Sequence, residues 1–319
     1  MHLPYFTQSE IRQALPYPAL VSQLRHAFQS ELHAPLRQAY QINQQPLCNL
    51  LLMPVWQQQA RLGVKLVTVA PENRDLPSVH ALFILFDCAT GAPLALMDGE
   101  ELTKRRTAAA SVLAASYLAR EDAQHLLLVG NGALAPYMAA AYASCRPLKQ
   151  ITVWGRNPEK SQACLSQIAA QLETEGQAAP QLNYAKPEAL AQACQQADII
   201  CCATTSTAPI LTAPMLAAGC HLDLVGGFKP DMREVDDQVM QSARVFVDTY
   251  QGALHEAGDI VQTLNSGVLK RSAIKAELAE LCRGQHTGRS TRAEISLFKS
   301  VGTALEDLAA AELVWQAQT

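Results

Sequence analysis

Several residues in this sequence are poorly explained by their neighbours. The run Leu62-Gly63-Val64-Lys65-Leu66-Val67-Thr68-Val69 sets Lys65 in a strand whose other members are almost all apolar. A lysine there is costly unless it is paired or used, and perturbed lysines gather where chemistry is done. Exposure on an edge strand is the competing explanation. Lys104, Arg105 and Arg106 follow one another at what the pattern marks as the first turn of a helix, where the macrodipole disfavours cations. A bound carboxylate or phosphate would relieve that conflict. Arg106 directly precedes an Ala-rich packed face and is expected to point inward, whereas Lys104 and Arg105 suit a solvated cluster. His80 is of a residue type often used to carry protons in catalysis, although a histidine in a strand is more often structural. Asp231 and Glu234 follow Gly226-Gly227 and could bring an acid to the mouth of a sheet, but their spacing is that of a capping box, and the cap is the favoured reading.

A second kind of chemistry is written at 125–135. A buried-strand run, His125-Leu126-Leu127-Leu128-Val129, leads into Gly130-Asn131-Gly132-Ala133-Leu134-Ala135 and then a helix to about Tyr142. This is GxGxxA in the strand-turn-helix setting of a dinucleotide site. Gly130 permits the tight turn, Gly132 lets a pyrophosphate approach the backbone, and Ala135 allows close helix-strand packing. The next strand ends in Gly155-Arg156-Asn157, where an NAD enzyme usually has an acid for the ribose hydroxyls. Arg156 offers a guanidinium to a 2′-phosphate and Asn157 adds hydrogen bonds, so NADPH is favoured over NADH. The bland alternative is that Arg156 begins a solvated helix.

These residues need a scaffold, and the patterning describes one. Thr7-Gln8-Ser9-Glu10 fits a capping box, and apolar residues recur at helical spacing from Leu20 to Phe28. From 37 to 97, short apolar runs at 47–53, 62–70, 81–87 and 93–97 predict an antiparallel meander. Residues 102–120 read as a long helix. Strands near 125–129, 151–155, 197–203, 220–226 and 244–248 then alternate with helical segments, which implies parallel βαβ units. A last helix is predicted over 295–315. The fold class is therefore α/β: a Rossmann dinucleotide-binding domain at 121–302, plus an α+β domain for substrate binding and dimerisation at 1–120 and 303–319.

At 319 residues the chain has room for two ordinary domains. With 49% hydrophobic and 17% charged residues and a net charge of −4, it has no basic face for nucleic acid. The polar start and the broken apolar stretch at 108–119 predict a cytosolic protein without a membrane span. Nine cysteines, none in a CxxC pair, read as reduced core filler, and nothing in the pattern asks for a metal.

The sequence resembles the ornithine cyclodeaminase and mu-crystallin family. The motifs that carry this are Gly63-Val64-Lys65-Leu66-Val67, Leu94-Ala95-Leu96-Met97-Asp98-Gly99, Arg106-Thr107-Ala108-Ala109-Ala110, the glycine loop, Arg233-Glu234-Val235-Asp236 and Phe298-Lys299-Ser300-Val301-Gly302. The resemblance implies that Arg37, Lys65 and Arg106 surround the substrate, that Gly302 lines its pocket, and that His80 sits beside the nicotinamide. For the cofactor it implies Ala133, Leu134, Arg156, Asn157, Thr204, Val225, Lys299 and Ser300. It also implies a homodimer paired through the N-terminal sheet domain.

Ornithine cyclodeaminases carry an Asp where this chain has Phe228, before Lys229-Pro230, so the base for ornithine chemistry is missing. The ketimine reductase branch lacks that Asp too and shows Pro-Asp followed by Arg-Glu, as in Pro230-Asp231-Met232-Arg233-Glu234. The activity expected is reduction of Δ1-pyrroline-2-carboxylate to L-proline and of Δ1-piperideine-2-carboxylate to L-pipecolate, with Lys65 the first choice of proton donor and His80 the second. Ornithine cyclodeaminase or alanine dehydrogenase activity is the runner-up, and a non-catalytic NADPH-binding protein of the crystallin kind is the third reading.

Overall fold

The computed structural model describes residues 3–178 and 180–318; Met1, His2, Ala179 and Thr319, which include the outermost ends of the expected first domain, lie outside the described residues. The chain divides into two compact units, Met1–Ala110 with Gly302–Thr319, and Ser111–Val301.

The first unit opens with β1 (Tyr5–Phe6), α1 (Gln8–Ala14) and α2 (Tyr17–Gln29). The capping box at Thr7 and Glu10 is present. The meander follows as β2 (Gln38–Gln44), β3 (Leu47–Trp56), β4 (Arg61–Val69), β5 (Val79–Asp87) and β6 (Pro93–Asp98), and leads into α3 (Gly99–Leu118). Among the described residues the sheet has six strands in the order β1-β6-β5-β4-β3-β2, antiparallel except for β1 on β6.

Its alternation is what selects the site. Successive strand residues face opposite ways, so Gly63, Lys65 and Val67 share one buried face with Met53, Val55, Phe83 and Leu85. Register places Lys65 between Met53 and Phe83. The last helix of the chain, α11 (Ala304–Gln318), packs against α1, α2 and strands β3 to β5.

The second unit contains β7 (His125–Val129), α4 (Ala135–Cys145), β8 (Gln150–Trp154), α5 (Pro158–Thr174), β9 (Gln181–Ala185), α6 (Leu190–Gln196), β10 (Ile199–Cys202), β11 (His221–Leu224), α7 (Asp237–Ser242), β12 (Arg244–Val247), α8 (Tyr250–Glu256), α9 (Gly258–Asn265), β13 (Ile274–Glu277), α10 (Leu278–Cys282) and β14 (Ser296–Lys299). The chain then returns to the first unit as α11. Every pairing in the second sheet is parallel, in the order β13-β12-β14-β11-β10-β7-β8-β9. Both faces are covered, which is why Leu126 to Val129 form an unbroken apolar run. Strand order reverses between β7 and β10, the switch point at whose carboxyl ends such sheets bind ligands.

Four expectations need correction. The helix predicted over 295–315 is broken: Ser296–Lys299 is β14, in the sheet interior between β12 and β11, and the helix begins only at Ala304. Helix α3 starts at Gly99 with Glu100 and Glu101 in its first turn, so Lys104, Arg105 and Arg106 lie beyond it. Arg105 is wholly buried, with its guanidinium donating to Leu15 O and lying 4.3 Å from the Tyr17 ring centre. Asp231 and Glu234 form no cap; Asp236 caps α7 by accepting from Val239 N.

All nine cysteines are free thiols and six are buried. Among the described residues, no helix is long and apolar enough to cross a membrane, and no cluster of three or more His, Cys, Asp or Glu is placed to hold a metal ion.

Candidate active site

Within the first unit, strand β4, helix α3 and helix α11 bring charged groups together out of solvent. Lys65 Nζ lies 2.9 Å from Asp307 Oδ1 and 2.7 Å from Oδ2, and donates to Thr103 Oγ1 at 3.2 Å. Arg106 Nε donates to the same Asp307 Oδ1 at 2.9 Å, and its Nη1 pairs with Glu306. Lys65, Arg106, Glu306 and Asp307 are each at most 4% exposed. Arg37 Nη2 donates to Gly302 O at 2.8 Å. Gly302 has φ +78°, and a Cβ there would stand 2.5 Å from Arg106 Nη1, so only glycine admits the guanidinium this close.

Arg37, Lys65, Arg106 and Gly302 are thus brought together, as the sequence suggests. Glu306 and Asp307 complete the cluster and were not foreseen. Lys65 and Arg106 share the Asp307 carboxylate, Arg106 also pairs with Glu306, and Arg37 bonds the Gly302 carbonyl. Burial lowers the Lys65 ammonium to about 8, with Arg106 and Arg37 adding to the fall and Asp307 opposing it. Burial alone would raise the Asp307 carboxyl; Arg106 and Lys65 outweigh it and hold the group below the usual range. His80 is not in this cluster. It is exposed, and the alternation of β5 puts it on the face opposite Phe83 and Lys65.

In the second unit, the cofactor residues suggested by sequence collect at the carboxyl ends of the strands. Gly130 directly follows β7 with φ +115°, and a Cβ would meet Ala203 O at 2.6 Å, so the tight turn does require glycine. Gly132 is exposed, and a Cβ added there would find nothing within 4 Å; Ala133 and Leu134 form the turn before Ala135 starts α4. Such an open backbone turn fits the pyrophosphate of a dinucleotide. Arg156 is exposed beyond β8 and makes no hydrogen bond or ion pair among the described residues. Asn157 Oδ1 accepts from Lys160 N at 2.9 Å, capping α5.

Thr204, Val225 and Ser300 follow β10, β11 and β14, with Ser300 buried. Lys299 has no exposure at all; it donates to Gly226 O and lies 3.4 Å from Asp259 Oδ2. Sequence reasoning missed Asp259 and misread Glu234, whose Oε1 accepts from Thr204 N at 2.8 Å.

Known proteins share this architecture. The family model described as ornithine cyclodeaminase/mu-crystallin family matches residues 5–318. A Delta(1)-pyrroline-2-carboxylate reductase of Colwellia psychrerythraea is 36% identical over 96% of this chain and 96% of its own. The solved structure of the Thermococcus litoralis Delta(1)-pyrroline-2-carboxylate reductase, in complex with NADH and L-proline, superposes with a TM-score of 0.90 at 31% identity, covering 98% of this chain and 97% of that one. An archaeal alanine dehydrogenase dimer with bound NAD gives a TM-score of 0.88 at 26% identity, over 99% of this chain and 96% of its own. The chain belongs to the ornithine cyclodeaminase/mu-crystallin family.

Proposed function

We propose that this protein is a cytoplasmic, nicotinamide-dependent ketimine reductase that converts Δ1-pyrroline-2-carboxylate to L-proline and Δ1-piperideine-2-carboxylate to L-pipecolate. The observation that carries the reading is the buried Lys65–Asp307–Arg106 cluster, with the Arg37 guanidinium on the Gly302 carbonyl. A cyclic imino acid offers a carboxylate to Arg106 and Arg37, and an imine nitrogen to Lys65. The names of the Colwellia and Thermococcus relatives support the same substrate.

Lys65 is the proton donor in this proposal. With its ammonium near 8 it is mostly charged at neutral pH yet gives up a proton readily, as a general acid for an imine must. His80 is the weaker choice because it is exposed and faces away from Lys65. Gly130, Gly132, Ala133, Leu134 and Ala135 would hold the pyrophosphate; Thr204, Val225, Lys299 and Ser300 would border the nicotinamide end. The dinucleotide, when bound, supplies the hydride.

NADPH is proposed over NADH because Arg156 is exposed and unengaged and no acid stands beside it at the end of β8. A dimer is proposed through the outer face of the six-stranded sheet. There Leu52, Leu66 and Leu82 lie side by side, as do Pro54, Val64 and Ile84, and Tyr40 and Ile42 on β2 are 48% and 58% exposed.

The test is a spectrophotometric assay of the purified protein with both reduced nicotinamides. Oxidation of NADPH with either cyclic imine supports the proposal. Activity confined to ornithine, or to pyruvate with ammonia, would replace it with a cyclodeaminase or alanine dehydrogenase, and dinucleotide binding without any turnover would leave a crystallin-like binding protein.

A further inference from the structure

The second unit holds a buried polar network, two of whose members, Glu234 and Asp259, have no part in the proposed reduction. Thr204, the second residue after β10, donates from both its backbone N and its Oγ1 to Glu234 Oε1, at 2.8 and 2.9 Å. Glu234 is fixed in turn: its own N donates to Asp259 Oδ1 at 2.8 Å, and Val235 N donates to the same atom at 3.1 Å. Lys299 on β14 donates to Gly226 O and stands 3.4 Å from Asp259 Oδ2 and 3.9 Å from Glu234 Oε2. All three charged residues have no solvent exposure.

Such a cluster is an expensive way to fill space. Two carboxylates share one ammonium, and among the described residues Glu234 Oε2 and Asp259 Oδ2 have no hydrogen-bond partner. Burial raises the Glu234 carboxyl to about 7, with Lys299 opposing, Asp259 adding and the Thr204 amide opposing. Apolar side chains of the same volume would often serve stability as well or better. The network's reach gives the reason for it. It ties together the turns after β10 and β11 and the end of β14, beside the switch point where Gly130 and Ala203 are pressed together. A dinucleotide site depends on those turns keeping their shape.

We propose that Glu234 is a positioning residue for the dinucleotide site: it holds the Thr204 turn in place and, with Asp259 and Lys299, locks that turn to the Gly226 turn. The proposal rests on the dinucleotide reading of the glycine loop. Glu234 itself touches no cofactor in it.

Glu234→Met and Glu234→Ala remove the acceptor, the first with little loss of volume; Glu234→Gln keeps an oxygen for Thr204 and leaves one ammonium facing one carboxylate. NADH and NADPH are titrated into each full-length variant by nucleotide fluorescence, with melting temperature measured in parallel. The expected result is that whichever of the Met and Ala variants folds binds both dinucleotides about tenfold more weakly, while the Gln variant stays within about twofold of wild type. A folded Met or Ala variant with wild-type affinity overturns the proposal, however its melting temperature moves. Wild-type protein that binds neither dinucleotide overturns the dinucleotide reading and this proposal together.

Discussion

Lys65 Nζ lies 2.7 Å from Asp307 Oδ2, with both side chains buried. The same carboxylate receives Arg106 Nε at 2.9 Å, so one acid fixes two cations that would otherwise repel each other in a medium of low polarity. Asp307 is one of the influences that keep Lys65 protonated at neutral pH, opposing burial, Arg106 and Arg37.

Asp307→Asn therefore lowers the Lys65 ammonium below about 8. If Lys65 delivers its proton in the rate-limiting step, turnover falls above pH 8 in the wild type, and the fall begins at lower pH in the variant. At alkaline pH the loss is about tenfold for each unit by which the ammonium is lowered. A pH profile of kcat checks this; an alkaline limb that stays in place removes Asp307 from any part in setting the acid.

Lys65→Ala is expected to leave dinucleotide affinity within about twofold, because the glycine loop belongs to the other unit. Turnover of the cyclic imine falls at least about a hundredfold, the usual loss for a missing general acid. Steady-state kinetics alongside a binding titration separate the two effects, and a variant with full turnover rejects the assigned role.

Arg156→Ala tests the 2′-phosphate reading. Removing an exposed cation that meets a phosphate weakens NADPH binding about tenfold while changing NADH by less than about twofold. The ratio of kcat/KM for the two nucleotides reports the difference directly. Equal losses for both would mean that Arg156 serves the dinucleotide generally and reads no 2′-phosphate.

The legible parts of this sequence are those set by local rules. Leu126 to Val129 must be a strand buried on both faces, and Gly130 must turn where a Cβ would strike Ala203 O, so the dinucleotide signal survives without tertiary knowledge. Lys65 stands out because a period of two puts it among apolar neighbours. Other features depend on partners distant in sequence. Arg105 finds Leu15 O and the Tyr17 ring some ninety residues away, which its position in a run of cations cannot announce. Glu306 and Asp307 sit in the first turn of α11, where acids suit the dipole of any helix. Glu234 shares its spacing with a capping box and is recruited by Thr204 instead. The four residues of β14 carry too little pattern to separate them from the apolar helix that follows, and only the vacancy between β12 and β11 makes them a strand.

Acid stability provides a last test, independent of any ligand. His221 begins β11, is wholly buried, and places Nδ1 3.0 Å from Ser296 Oγ. Burial, then Arg289 and Arg146, lower its imidazole to about 3. The unfolded chain takes up the proton near pH 6.5, well before the folded one does, so the stability due to neutral His221 is complete above that pH and is lost as pH falls toward 3. At pH 5 the loss is about 2 kcal/mol. Asp223 and Glu234, raised to about 6 and about 7, act in the opposite sense and favour the folded state as pH falls, so the wild-type curve alone mixes the contributions. Comparison with His221→Gln isolates one of them. Denaturant unfolding at pH 7 and pH 5 should show the variant losing about 2 kcal/mol less than wild type over that interval, whatever its stability at pH 7. Parallel losses in the two proteins would mean that His221 is protonated in the folded state and that the β11 interior admits its charge.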